Sequence, residues 1–185
     1  MSVYDLDIKV YVENPKSEPP KFRLECQELE IKPGKKHDFI FRNPEGCDGF
    51  LLRFILQGDA HGYRFPRDAG LAMYSAKGIG CPTEPGHWHQ FVPLEVKSGD
   101  KILIVRNYNR KGHEGDFGYT LRLTKNPNDY DMPEDEFLLL DPGGFNGNGG
   151  PKKALTAAAV AIAVLSGIAS ALVTTAALVT LGFVG

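Results

Sequence analysis

The segment DLDIKVYV, at residues 5–12, alternates polar or aromatic side chains with Leu6, Ile8, Val10 and Val12. Successive side chains of a β-strand point to opposite faces of the sheet, so an apolar residue at every second position gives one apolar face. An amphipathic helix would instead place apolar residues three and four positions apart. The segment therefore predicts a half-buried β-strand.

The same period of two returns along much of the chain. Further strands are expected within residues 22–26, 37–41, 50–56, 102–105 and 117–123. Residues 50–56 are largely apolar on both faces, which is typical of a central strand. In residues 117–123, Thr120 and Arg122 are expected to face solvent. We expect about seven to nine short strands, arranged as an antiparallel β-sandwich of Ig-like or jelly-roll-like type.

A second feature is the apolar run from Ala154 to Gly185, which contains no charged side chain and follows Lys152 and Lys153. About 20 apolar residues are enough to cross the hydrocarbon core of a bilayer as a helix. The run therefore predicts one long C-terminal hydrophobic α-helix that spans the membrane once. Positive residues next to a span favour the cytoplasmic side, so Lys152 and Lys153 orient the preceding domain into the cytoplasm.

These patterns divide the chain into three parts. We expect a cytosolic β-sandwich domain at residues 1–142 and a transmembrane, self-associating helix at residues 152–185. The intervening residues, 143–151, are rich in glycine and predict a short flexible linker.

Small residues recur along the apolar run at helical spacing, which lets helix backbones approach closely in lipid. They form two neighbouring stripes: Ala159, Ala163, Gly167 and Ala171, and beside them Ser166, Ser170 and Thr174. The stripes predict a homo-oligomer that assembles through this helix. A membrane pore and the packed core of a filament are alternative functions for such helices, and an alanine-rich monomeric anchor is the plainer alternative.

The charge balance limits the partners. The chain has 21 lysine and arginine residues, two of them Lys152 and Lys153, and 23 acidic residues that all precede this pair. The part before the pair is therefore near −4, which argues against a nucleic-acid partner because such proteins carry a concentrated basic face. Membrane lipid is the expected partner, and no protein partner is indicated.

A polar cluster around Cys81, His87 and His89 is the candidate metal site. In an extended segment, His87 and His89 point to the same face, and both residue types are ligands of transition metals. Cys81 is a possible third ligand, and so are Glu84 and Glu95.

The alternative interpretation of this cluster is structural. Trp88 then packs inward, and the two flanking histidines lie in solvent on a strand edge. Two alternatives therefore stay open for this segment. In one, the sandwich binds a metal through His87 and His89, and in the other it binds none.

Motifs of catalysis are sparse. No serine lies in a Gly-x-Ser-x-Gly turn, and no glycine-rich loop has the spacing that binds nucleotide phosphates. We expect a protein that is not an enzyme and needs no cofactor. Its domain would serve as a binding or assembly module that the apolar helix anchors in a membrane.

Several short segments resemble a known family. They are the alternating N-terminal strand, Gly62-Tyr63-Arg64-Phe65-Pro66, Cys81-Pro82, and Leu140-Asp141-Pro142 followed by Asn146. In these segments, residues 1–146 are similar to the small bacterial β-sandwich proteins of unknown function called the DP-EP family. The resemblance implies a single sandwich domain without known catalytic residues, and it does not extend to the apolar helix.

Overall fold

The alternation at residues 5–12 forms part of the first strand of a mainly β protein, as the sequence predicts. Leu6, Ile8 and Val10 are each at most 2% exposed, while the residues between them face solvent. The computed structural model describes residues 2–78, 80–129, 133 and 136–147.

The described strands, numbered in chain order, are β1 (Ser2–Asn14), β2 (Lys21–Glu25), β3 (Glu30–Ile31), β4 (Phe39–Arg42), β5 (Cys47–Leu56), β6 (Met73–Lys77), β7 (Phe91–Lys97), β8 (Ile102–Asn107), β9 (Gly115–Leu123), β10 (Leu138–Leu140) and β11 (Gly143–Gly147). A short helix, α1 (Ala69–Ala72), and a 3-10 turn (Ala60–Gly62) lie between β5 and β6.

The strands form two sheets. The first has the order β2-β1-β5-β8-β7, and its central strand β5 covers the segment predicted to be central. The second has the order β10-β9-β11-β4-β3, with β6 paired to β9. Because β6 and β11 both pair with Phe117 and Gly118, they lie on opposite edges of β9.

Two strand pairs are parallel, so the expectation of purely antiparallel sheets is wrong. β1 runs parallel to β5, and β4 runs parallel to β11. A parallel pair needs a long connection that crosses over. Residues 15–46 provide one, because the chain leaves the first sheet after β2, forms β3 and β4 in the second, and returns at β5. The period of two is the same in both directions, so the sequence pattern does not encode strand direction.

Aromatic side chains from both sheets meet in one shared core. Phe54 of the first sheet contacts Tyr119 of the second at 5.7 Å between ring centroids, and Phe50 contacts Phe41 at 5.5 Å. All four rings are at most 1% exposed. Each fully buried aromatic side chain stabilises the fold by about 1.5–3 kcal/mol relative to its exposed state.

The outer face of β9 is covered, which corrects the expectation that Thr120 and Arg122 face solvent. Thr120 is 2% exposed and donates its hydroxyl to the Pro82 carbonyl at 2.8 Å. Arg122 is 1% exposed, and its guanidinium donates to the Leu71 carbonyl at 3.0 Å and lies 3.8 Å from the ring centroid of Phe137. The chain segments around these partners shield this face from water.

Residues 143–147 form strand β11, where the sequence predicts the start of a flexible linker. β11 lies between β9 and β4, and Asn146 is fully buried. A Cβ on Gly144 would lie only 2.4 Å from the Phe117 ring, so this glycine permits close packing of the strand on the core. The glycines of β11 therefore belong to a strand inside the second sheet and not to a flexible linker.

The predictions for the rest of the C-terminal segment lie outside the described residues. They concern the linker at 148–151, Lys152, Lys153, and the helix with its small residues Ala159, Ala163, Ser166, Gly167, Ser170, Ala171 and Thr174. Among the residues that are described, no helix has the length and apolar character to cross a membrane.

Candidate functional site

The structure places the three predicted metal ligands in different surroundings. Cys81 Sγ lies 3.9 Å from the Pro142 carbonyl oxygen. His87 lies near Asp68, and burial lowers the pKa of its imidazole despite that carboxylate. His89 packs edge-on against His113, with 4.9 Å between ring centroids.

The described residues contain no group of three histidine, cysteine or carboxylate side chains placed to hold a metal ion. Trp88 is 7% exposed and packs in the core, while His87 and His89 are both exposed, as the structural interpretation of this segment expects. Of the further candidate ligands, Glu84 is exposed and Glu95 forms an ion pair with Lys97 at 2.9 Å. The segment therefore contributes its tryptophan to the core, and its two histidines are exposed and have different neighbours.

A larger feature lies where the β4–β5 and β8–β9 connections meet. We call it the cationic cleft, and it is lined by Val3, Asn43, Asp48, Arg106, Tyr108, Asn109, Arg110 and Lys111. Its volume of about 580 Å³ is within the range of small-molecule sites. Three cations and one carboxylate line it, so its charge is opposite in sign to that of the domain as a whole.

Two guanidinium groups are held on one aromatic ring. The Cζ atoms of Arg106 and Arg110 lie 4.9 and 4.6 Å from the centroid of the Tyr108 ring, within the range of cation–π contacts. Arg106 also donates to the backbone carbonyl of Asp48 at 2.8 Å and to that of Phe50 at 3.2 Å. The backbone carbonyls of strand β5 therefore fix the position of the Arg106 guanidinium, and because they are uncharged they do not neutralise it.

The three cations of the cleft form no ion pair within the described part of the chain, although Asp48 also lines the cleft. Arg110 and Lys111 are exposed, and Arg106 is half-buried. Uncompensated charges at a concave surface attract and orient an anion, because the protein around them focuses the field.

A network of amide side chains extends from the cleft into the core, and we call it the amide cluster. Asn43 and Asn109 line the cleft, and the buried Gln90, Asn107 and Asn146 connect to the lining residues by hydrogen bonds, directly or through one another. Asn109 donates from Nδ2 to the Asn43 Oδ1 at 2.8 Å, and its backbone N–H donates to the Asn107 Oδ1 at 3.1 Å. Gln90 Oε1 accepts from the Arg110 backbone N–H at 3.0 Å, and this bond ties the Arg110 backbone to the amide cluster.

Two atoms of this cluster are buried without a hydrogen-bond partner in the described part of the chain, namely Asn109 Oδ1 and Gln90 Nε2. Asn109 and Gln90 are both fully buried, and Asn109 has a left-handed backbone with φ of 42°. A buried polar atom without a partner costs about 1–3 kcal/mol. An unsatisfied acceptor and a strained backbone in a residue that lines the cleft are features typical of binding sites.

A second depression, on the outer face of the second sheet, is lined by two lysines and three aspartates. Lys32 forms an ion pair with Asp116 there, and Asp38 accepts the Gly143 backbone N–H at 3.0 Å. Cys81 borders it, and burial together with Asp141 and Asp38 raises the pKa of its thiol to about 12. Lys32, Asp38 and Asp116 thus have partners within the fold.

The cationic cleft was missed by sequence reasoning because its residues come from three distant segments. The one local signal is Arg106-Asn107-Tyr108-Asn109-Arg110-Lys111, in which three cations and two amides surround a tyrosine directly at a strand end. No family model matches the chain, and no curated protein matches it either. The resemblance to the DP-EP family therefore stays a prediction.

Proposed function

We propose that the protein is a binding module held at a membrane, in which the cationic cleft takes an anionic group and the apolar run 154–185 is the anchor. The module is not an enzyme in this proposal, and it faces the cytoplasm. It spans the membrane once and assembles into homo-oligomers through the apolar run. We also propose an Ig-like or jelly-roll-like sandwich for its two sheets, a proposal that their shared aromatic core supports.

The single observation that carries the binding function is the pair of guanidinium groups on Tyr108, with Lys111 in the same cleft and no ion pair to any of the three among the described residues. Concentrating three like charges is unfavourable in the absence of a ligand. An anion in the cleft relieves this repulsion and gains charge-assisted hydrogen bonds from the arginines.

The membrane part rests on the sequence. Thirty-two consecutive residues without a charge, preceded by two lysines, are unfavourable in water unless lipid or other copies cover them. Pore and filament functions rest on the same segment, which lies outside the described residues, and both remain predictions.

The anchor is tested by membrane fractionation of the protein with and without residues 152–185. We expect the full chain in the membrane fraction and the shortened chain in the supernatant. A full chain that is monomeric and freely dispersed in detergent-free buffer would contradict the anchor.

The cleft is tested by titrating the full chain in a neutral detergent with inorganic phosphate and following heat by calorimetry. The double variant Arg110→Gln, Lys111→Gln is expected to lose binding by at least about tenfold, because it removes both exposed cations. The matched control is Lys35→Gln, Lys36→Gln, which removes two exposed lysines elsewhere and is expected to bind normally. Equal binding by both variants would contradict the proposed site.

A further inference from the structure

We propose that the anion bound by the cationic cleft is the phosphate of a hydroxyl-bearing anionic phospholipid, in the membrane that holds residues 154–185. This inference rests on the proposed function, and it names the ligand of the same cleft. A lipid headgroup of this kind and a free phosphate ester have the same chemistry, which is a phosphate with hydroxyl groups next to it.

The first support is the point at which the described chain ends. Gly147 pairs with Arg42 in the second sheet, one residue from Asn43 of the cleft. The preceding residue, Asn146, belongs to the amide cluster and exchanges hydrogen bonds with Asn107. The last described residue, Gly147, therefore lies at the end of the domain that carries the cleft.

The second support is the length of chain that follows. Six residues, 148–153, separate Gly147 from Ala154, the first residue of the apolar run. Seven peptide units reach at most about 25 Å when fully extended. If a bilayer holds the apolar run, its lipid headgroups are therefore within reach of the cleft end of the domain.

The third support is the surface around the cleft. Val3 lines the cleft and is 41% exposed, and the next residue, Tyr4, is 39% exposed. Exposed Arg110 and Lys111 lie at the same end. Apolar and aromatic side chains beside cations suit a membrane interface, where the former enter the headgroup region and the latter meet phosphate.

The kind of anion follows from the cleft and from the rest of the domain. A single headgroup fits in about 580 Å³, whereas a long polyanion would extend over a domain that is acidic overall. Three cations match a phosphate group. Asn43 and Tyr108 are half-buried residues that also line the cleft, and their amide and hydroxyl groups match a hydroxyl of a glycerol or inositol headgroup.

The test uses the full chain in nanodiscs of phosphatidylcholine, with or without a minor fraction of phosphatidylglycerol. Hydrogen exchange of the peptide that covers residues 106–113 is followed by mass spectrometry. We expect phosphatidylglycerol to slow this exchange by about tenfold in the unmodified protein. The Arg110→Gln, Lys111→Gln variant should lose this protection, and the Lys35→Gln, Lys36→Gln control should keep it.

A further arm adds inorganic phosphate to phosphatidylcholine nanodiscs at the total concentration of the phosphatidylglycerol. Equal protection by phosphate would overturn the lipid as the source of the ligand. Absence of protection by phosphatidylglycerol, in a protein that still binds phosphate in detergent, overturns this inference and leaves the proposed cleft intact. A protein that fails to enter nanodiscs, as judged by gel filtration beforehand, contradicts the anchor and therefore this inference with it.

Discussion

Asn107 and Asn146 exchange two amide hydrogen bonds, of 2.8 and 2.9 Å, and both side chains are fully buried. Asn107 ends strand β8 of the first sheet, and Asn146 lies in β11 of the second. The pair therefore fastens the two sheets to each other below the cationic cleft. Polar groups are costly in a core unless they are satisfied, and here each amide satisfies the other.

Asn146→Ala is expected to lower the free energy of unfolding by about 2–3 kcal/mol, because it leaves the Asn107 amide buried with unmet hydrogen bonds. Urea denaturation of the full chain in detergent measures the loss, and the exposed Asn128→Ala serves as the control. In a double-mutant cycle with Asn107→Ala, the two losses should be less than additive. Strict additivity would show that the amides do not act as a pair.

Ending the chain after residue 142 is expected to abolish cooperative unfolding, because it removes β11 from between β9 and β4. A chain that ends at residue 151 keeps this strand and should melt as a single transition. Circular dichroism during heating distinguishes the two. Similar melting curves would show that residues 143–147 are dispensable for the fold.

The thiols of Cys26 and Cys81 are expected to react slowly with iodoacetamide below pH 9. Burial is the largest cause that raises their pKa values, to about 11 and about 12 respectively. Only the thiolate is a good nucleophile, so the alkylation rate of each should rise steeply only near its own pKa. Mass spectrometry of labelled peptides measures both rates, and rapid labelling of either residue at neutral pH would contradict its raised pKa.

Because of the same two thiols, we expect the folded protein to be less stable in alkali. Their folded pKa values lie above the unfolded value of 9.0, so the folded state retains protons that the unfolded state releases. The free energy of unfolding should fall as the pH rises from about 9 to about 12. The Cys26→Ala, Cys81→Ala variant should show a shallower fall over this window, and an unchanged slope would count against the two thiols as its source.

Gly118→Ala is expected to destabilise the protein by about 1–3 kcal/mol, because the added Cβ would lie 1.6 Å from the Gly80 backbone oxygen. Gly147→Ala is the matched control, since its Cβ would meet side chains alone, the nearest being the movable Phe145 ring at 3.0 Å. Thermal unfolding of both variants makes the comparison. A Gly118→Ala protein as stable as the control would show that the segment after residue 79 moves aside freely.

The sequence predicted strands well wherever one face alone is buried. Leu6, Ile8 and Val10 alternate with exposed residues, and the structure confirms that pattern. The prediction of which residues face solvent failed where further chain segments cover the sheet. Arg122 is charged, as solvent-facing residues often are, yet it is buried between protein groups. The sequence prediction also failed at β11, since glycines that permit close packing have the composition of a flexible linker.

The cleft escaped prediction for a different reason. Val3, Asn43 and Arg106 are far apart in the chain, and only the pairing of β1, β5 and β8 brings their segments to one end. The spacing of residues within one segment does not indicate which distant segments the fold brings together. The histidine-containing segment, by contrast, is compact in sequence, yet the described residues contain no group of three ligand side chains placed to hold a metal ion.

Because β1 runs parallel to β5, Ser2 pairs with Cys47 and its hydroxyl donates to the Gly46 carbonyl at 2.8 Å. Ser2 thus lies next in the chain to Val3, which lines the cleft together with Asp48. A bulky group attached at Ser2 would crowd whatever binds there. A small dye at the same point would instead act as a built-in reporter of occupancy.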